Sequence, residues 1–237
     1  MKLFSKFGRR PTQTPMHTLK GHKNWVLCCA YSPDGKLCAS GGMDKDAFIW
    51  DPKTGTQVGK PLKGHTKWIT SLVWEPIHIS KDGESRRLAT ASKDASVRIW
   101  DAPTGRALAI LTSHTASVTS VRWGGQGLLF TGSEDRSIKV WDPTKGILCR
   151  TLEGHAHWVN HIALSTDHVM RNAPPNAKEA ALTPRERYIK ALGGEGKQER
   201  MVTASDDHTM YLWLPAESKK PILRMTGHVQ VNLCSSS

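Results

Sequence analysis

The sequence predicts an all-β fold: about four repeated units in a row, each of four short antiparallel strands. Three observations predict it. A small residue followed by His recurs at Gly21-His22, Gly64-His65, Ser113-His114, Gly154-His155 and Gly227-His228. A Trp closes an alternating apolar run at Trp50, Trp100, Trp141 and Trp213. Each Trp also has an Asp six residues before it (Asp44, Asp94, Asp135, Asp207) and a hydroxyl ten before it (Ser40, Thr90, Thr131, Thr203). A repeat at a fixed period is the mark of repeated supersecondary units.

The elements follow in order. Ser96–Trp100 (SVRIW) and Ser137–Trp141 (SIKVW) alternate apolar and polar residues, the period of a half-buried strand. Turn chemistry separates such runs. Ser32-Pro33-Asp34-Gly35 suits a type I turn, and Asp51–Gly55 and Asp142–Gly146 punctuate the last strand pair of their units. Four short antiparallel strands make one propeller blade. The blades are expected at about 25–62, 68–111, 117–152 and 158–225, within a segment spanning 16–237. Residues 1–15 read as a basic extension without structure. Met16–Lys20 reads as the last strand of a preceding blade and Val229–Leu233 as the first strand of another. The ring is therefore expected to be incomplete. Its bare end blades predict a marginally stable or aggregation-prone chain, as a fragment, truncated gene model or splice product would be.

Successive His residues of the pairs stand 43, 49, 41 and 73 residues apart. The excess places a modest insertion at Ile77–Arg87 and a long one at about His168–Arg200. In the long one, Thr183-Pro184-Arg185-Glu186 is a capping box with Pro at the first helical position, and Gly193 supplies the stop. Tyr188, Ile189 and Leu192 form an apolar stripe, with Arg185, Arg187 and Lys190 around it. That helix either docks RNA or a protein partner, with Arg185, Arg187, Tyr188 and Lys190 as candidate contacts, or packs on its own blade. Trp25, Trp68 and Trp158 recur three residues after the His, with Ser117 breaking the series. They open the innermost strands near one rim of the channel. There they are either partner-binding residues or packing between blades.

The recurring residues also resemble a hydrolase triad, as in Thr131, His114 and Asp135. An active site needs one such set in a pocket, whereas this chain carries four. The sets read as structural networks: His22, Ser40, Asp44, Trp50; His65, Thr90, Asp94, Trp100; His114, Thr131, Asp135, Trp141; His155, Thr203, Asp207, Trp213. In each, His bridges Asp and hydroxyl while the indole N–H finds a partner. No enzyme activity is expected. His155-x-His157 with His161 fails as a metal site because His155 already belongs to a network, and no glycine-rich phosphate loop opens a helix. No cofactor, metal or small-molecule substrate is expected.

The 33 basic and 21 acidic side chains give a net charge of +12 and a pI near 9.7. Up to Pro33 there are six basic residues and no acidic one. Such an excess favours polyanions, nucleic acid above all. No apolar run reaches the roughly 18 residues of a membrane span, and Met1–Arg10 lacks the apolar core of a secretory signal. A cytosolic or nuclear chain is expected. The five cysteines, an odd number without a C-x-x-C pair, suggest neither a disulfide framework nor zinc. Cys28, Cys29 and Cys149 lie in apolar runs and are expected in the core.

A Gly-His near the start and a Trp-Asp near the end of units of about 40–45 residues resemble the WD-repeat family over roughly Met16–Asn232. The segments Gly21–Cys28, Lys60–Pro76 and Gly154–Asn160, the long insertion and Lys219–His228 more narrowly resemble the branch of that family that assembles the large ribosomal subunit. The resemblance is to blades two to five of eight. It implies a nuclear and nucleolar scaffold on a pre-ribosomal particle, touching its proteins and possible rRNA. In that branch an N-terminal ubiquitin-like domain engages a midasin-type AAA ATPase. This sequence contains no such domain, so coupling to the ATPase is an expectation for longer relatives and not for this chain. The other readings are a generic interaction propeller, such as a ubiquitin-ligase receptor or signalling scaffold including the Notch pathway, and a fragment without independent function.

Overall fold

Alternating side chains and tight polar turns give the chain a series of antiparallel meanders. The computed structural model describes residues 2–3, 16–80, 83–84, 86–171 and 181–227. Two short strands, β1 (Lys2–Leu3) and β2 (His17–Thr18), pair antiparallel. The first blade is β3 (Val26–Tyr31), β4 (Cys38–Gly42), β5 (Ala47–Asp51) and β6 (Thr56–Gln57). The second is β7 (Ile69–Trp74), β8 (Arg87–Ser92), β9 (Ser96–Asp101) and β10 (Arg106–Thr112). The third is β11 (Val118–Trp123), β12 (Leu129–Ser133), β13 (Ile138–Asp142) and β14 (Ile147–Leu152). The fourth is β15 (Val159–Leu164), β16 (Met201–Ser205), β17 (Thr209–Trp213) and β18 (Leu223–Thr226). Between β15 and β16 the described residues form two helices, α1 (Asp167–Arg171) and α2 (Pro184–Leu192). The fold is all-β, an incomplete propeller of four blades. Within the 1–15 extension, Lys2–Leu3 thus forms a strand on β2, where no structure was expected. The expected strand at Val229–Leu233 lies outside the described residues.

The blades join face to face through their first strands. Ile69, Val118 and Val159, which open β7, β11 and β15, are fully buried against the preceding blade. Gly41 and Gly132 make room for two of them: a Cβ there would stand 2.6 Å from Ile69 and 2.8 Å from Val159. Side-chain bonds add to the packing. The Thr70 hydroxyl donates to the Val118 carbonyl at 2.5 Å, the Thr119 hydroxyl donates to the Val159 carbonyl, and the Trp74 indole N–H donates to the Ala30 carbonyl at 3.1 Å. Each first strand also shifts register by one residue, at Leu27, Thr70, Thr119 and Asn160. Such a bulge turns that residue out of the ladder, which is how the two threonines reach the next blade.

On the first blade the equivalent face is bare. Val26 is 37% exposed where its three counterparts are sealed, and Leu27, Cys29 and Tyr31 are exposed beside it. The expected core position of Cys29 is therefore corrected: among the described residues no blade covers that side of β3. Cys149 is also exposed, because β14 is the outer strand of its blade, whereas Cys28, half-buried, packs against the core between the first two blades as expected. Among the described residues the buried thiol is Cys38, pushed up to about 12 by burial, an inert packing group.

The turn between second and third strands has the same conformation in every blade. The residue after the recurring Asp is left-handed without being Gly: Lys45, Ala95, Arg136 and His208, with φ between 62° and 71°. A left-handed L-residue costs about 1–2 kcal/mol, part of which Gly returns as backbone entropy. Ala95→Gly is expected to stabilise the chain by about 0.5–1 kcal/mol, read as a higher urea midpoint. A lower midpoint would show that the Ala95 methyl contributes more than the strain removes.

Candidate functional site

The antiparallel meander gives the molecule two faces. Turns joining first to second and third to fourth strands lie on one, and the long insertion is among them. Turns joining second to third strands, with the connections between blades, lie on the other. The recurring His, hydroxyl, Asp and Trp sit between the blade-to-blade connection and the second-to-third turn, behind this second face.

Each network is a closed chain of hydrogen bonds. In the third blade His114 Nδ1–H donates to Asp135 at 2.7 Å, the Thr131 hydroxyl donates to Nε2 at 2.7 Å, and the Trp141 indole donates to the same hydroxyl at 2.9 Å. His22, Ser40, Asp44 and Trp50 repeat the arrangement, as do His65, Thr90, Asp94 and Trp100, and His155, Thr203, Asp207 and Trp213; all bonds fall between 2.8 and 3.0 Å. The Asp also accepts the backbone N–H of the residue after the His, at Lys23, Thr66, Thr115 and Ala156. This ties the blade-to-blade connection to the turn. The four hydroxyl residues are sealed, each at most 1% exposed, and each oxygen is already occupied by an indole. No substrate can reach them.

The chain of bonds requires neutral imidazoles, since Nε2 must accept. Burial lowers His65, His114 and His155, against the raising influence of their Asp partners. Burial alone would raise the carboxyls, but hydrogen bonds from Ser96, Thr66 and His65 bring Asp94 to about 2. Thr209, Ala156 and His155 bring Asp207 to about 2, and His114 and Ser137 hold Asp135 well below its ordinary range. Both depressions act in the same direction. Unfolded imidazoles take up protons below about 6.5 that the folded ones refuse, and unfolded carboxylates take them up below 3.8. Stability is expected to fall in two stages on acidification, first below about 6.5 and again below 3.8. Urea midpoints measured across that range check it; a flat profile down to pH 4 contradicts the neutral-imidazole network.

In front of the networks stand Trp25, Trp68 and Trp158. They are 75%, 40% and 46% exposed, so each ring keeps a solvent-facing surface. Their backbones are fixed: the carbonyls of Trp25, Trp68 and Trp158 accept from the N–H groups of Met43, Lys93 and Asp206 at 2.8–3.1 Å. Lys93 Nζ lies 5.1 Å from the Trp68 ring centre, a cation–π contact, and His157 lies against Trp158 at 5.1 Å. In the third blade Ser117 is buried and its carbonyl accepts from Glu134, so the series is interrupted there. Lys23, Lys45, Lys67 and Lys93 are all exposed on this face.

The opposite face carries the insertion. Thr183 caps α2 with Glu186 completing the box, and Gly193 ends it in the left-handed conformation. The helix turns back over the second and third blades. Tyr188 stacks on His78 with ring centres 4.6 Å apart, and His78 Nε2–H donates to the Gly125 carbonyl at 2.8 Å. The expectation of Tyr188 as a partner contact is overturned: it is 6% exposed. A Cβ on Gly125 would come within 2.0 Å of the Tyr188 ring, and one on Gly124 within 2.4 Å of Glu199. This glycine shelf is what the stripe reading missed, and the run Gly124-Gly125-Gln126-Gly127 was its signal. Glu199, buried beside it, accepts from the Thr166 hydroxyl; burial pushes its carboxyl up to about 7. Arg185 and Lys190 remain exposed and Arg187 is half-buried. Ile189 and Leu192 help to line a groove of about 690 Å³ between α2 and the blade loops. The structure thus brings the four networks together behind one face and separates the tryptophans from α2 by the thickness of the blades.

Comparison with known proteins gives a consistent picture. The description "WD domain, G-beta repeat" matches residues 13–51, 55–101 and 105–142. The chain is similar to Protein Notchless of Drosophila melanogaster, 48% identical across 95% of this chain and 56% of that protein. It is similar to Ribosome assembly protein 4 of Saccharomyces cerevisiae, 51% identical across 92% of this chain and 44% of that protein. The Notchless protein homolog of Arabidopsis thaliana is 48% identical across 95% and 57%. The chain spans about half the length of the curated relatives it matches.

Proposed function

Since this chain belongs to the WD-repeat family, we propose that it is a non-catalytic scaffold in the assembly of the large ribosomal subunit, docking on pre-ribosomal particles in the nucleus and nucleolus. One observation carries the non-catalytic part. Each of the four His, hydroxyl and Asp sets is sealed inside a blade with its hydroxyl occupied by an indole, while the tryptophans that could meet a partner stand on the surface. A chain built this way works by presenting surface. The ribosomal part is supported by relatives named for ribosome assembly at about half identity over nearly the whole chain. A net charge of +12 suits a particle rich in RNA.

The test is a sucrose gradient of cell extract probed with an antibody to the 174–196 insertion. Migration of a band of this chain's size with large-subunit precursors is the expected result. A band of that size confined to the top of the gradient overturns the scaffold reading and leaves a fragment without independent function.

A further inference from the structure

We infer that the tryptophan face is a platform for single-stranded RNA, with unpaired bases stacking on Trp25 and Trp68 and phosphates held by the lysines between them. The inference deepens the scaffold reading and rests on it for its setting. Indole rings are among the most costly side chains to leave in water, yet the same position is exposed in three of four blades. They are also rigidly placed. Each ring hangs from a backbone whose carbonyl is tied to the second-to-third turn, and that turn is tied to the network Asp behind it. A stacking surface held this way loses little entropy on binding.

The charges around the rings decide the class of partner. Lys23, Lys45, Lys67 and Lys93 flank Trp25 and Trp68, and Lys93 already lies over the Trp68 ring. Asp44 and Asp94, the nearest carboxylates, are turned inward to His22 and His65, leaving Asp46 as the acidic group of the first blade's turn. Past Ser117 the balance changes: Glu134 follows, and Asp206 is engaged by Asn160 and by His157 at 3.7 Å. The platform is therefore the first and second blades, with Trp158 beyond a gap. Aromatic rings interleaved with lysines are the chemistry of single-strand recognition, because stacking needs a base whose faces are free. A duplex offers phosphates but no such face. An acidic peptide would use the lysines and any apolar side chain equally.

The experiment measures binding of a fluorescent oligouridine to the full chain across a potassium chloride series, beside a duplex of the same length and a poly-glutamate peptide. The single strand is expected to bind best. Trp25→Ala with Trp68→Ala should weaken it at least tenfold, since each stacked base contributes about tenfold. Trp25→Leu with Trp68→Leu, which keeps apolar bulk, should weaken it as well. Trp25 is 75% exposed, so its truncation should keep the thermal transition of the parent; Trp68 is 40% exposed, and there the leucine variant, which keeps apolar bulk, is the control for folding. Lys23→Gln and Lys67→Gln should each reduce the salt slope by about 0.7. Equal binding of the duplex, or no loss in the alanine pair, overturns the proposal. So does preferred binding of poly-glutamate retained by the leucine pair, which would assign the face to an acidic protein. The gradient separates the two readings. No oligouridine binding by a parent chain that still travels on precursors removes the platform alone, whereas intact oligouridine binding by a chain that never reaches precursors removes the scaffold.

Discussion

Thr131→Val is expected to destabilise the chain by about 2–6 kcal/mol. Valine keeps the shape and the strand preference of threonine, so the loss comes from the hydroxyl alone. That oxygen serves two partners: it donates to His114 Nε2 and accepts from the Trp141 indole. Removing it leaves a buried acceptor and a buried donor unpaired, at about 1–3 kcal/mol each. Domains of this kind hold only about 5–15 kcal/mol in total, so the loss takes a large share of it. The check is a urea titration of parent, Thr131→Val, and Thr131→Val combined with Trp141→Phe. The double variant removes the orphaned indole donor and should recover part of the Thr131→Val loss once the cost of Trp141→Phe alone is subtracted. A loss below about 1 kcal/mol in the single variant would mean that water or a rearranged neighbour satisfies both groups.

Gly125→Ala is expected to release α2 while leaving the blades folded. The new Cβ would stand 2.0 Å from Tyr188 Cε2 and 2.4 Å from Cζ, distances no side chain tolerates, so the ring must leave its seat. Losing a buried aromatic costs about 3–5 kcal/mol. Tyr188 is the buried residue of α2, so the cost falls on the seating of that helix. The helix carries Arg185, Arg187 and Lys190, and trypsin reads the opening directly. Cleavage there should speed up about a hundredfold or more, with the cooperative urea transition of the blades retained. Tyr188→Phe is the control: the phenolic oxygen is buried without a partner, so its removal should leave cleavage slow. Unchanged cleavage in Gly125→Ala would show that α2 is held by other contacts.

The fold class was legible because the information is local and repeated. Fixed offsets from Trp50, Trp100, Trp141 and Trp213 set the register of the second and third strands in each unit, and alternation gave the strands themselves. What stayed hidden depended on which surface meets which. An apolar run does not reveal whether another blade covers it, and so Cys29 and Cys149 read as core although one faces a bare side and the other an outer strand. Trp25, Trp68 and Trp158 left two readings open for the same reason; their exposure is settled by where the first strand begins relative to its neighbour. Tyr188 was legible as part of an apolar stripe, but its seat lies more than 60 residues away at Gly125. Helical periodicity carries no information about a partner at that distance.

The reach of the insertion also sets an order of events during synthesis. His78 and Gly125 leave the ribosome long before Tyr188, which closes over both. About 110 residues separate His78 from Tyr188. Gly125, which completes the seat, precedes Tyr188 by 63 residues, so at roughly 5–20 residues per second the complete seat stands without its cover for roughly 3–13 s. During that interval the glycine shelf and the His78 ring face the cytosol as an open apolar seat. The nascent chain is most exposed to wrong partners then, and a chaperone that recognises such a seat has that interval in which to act.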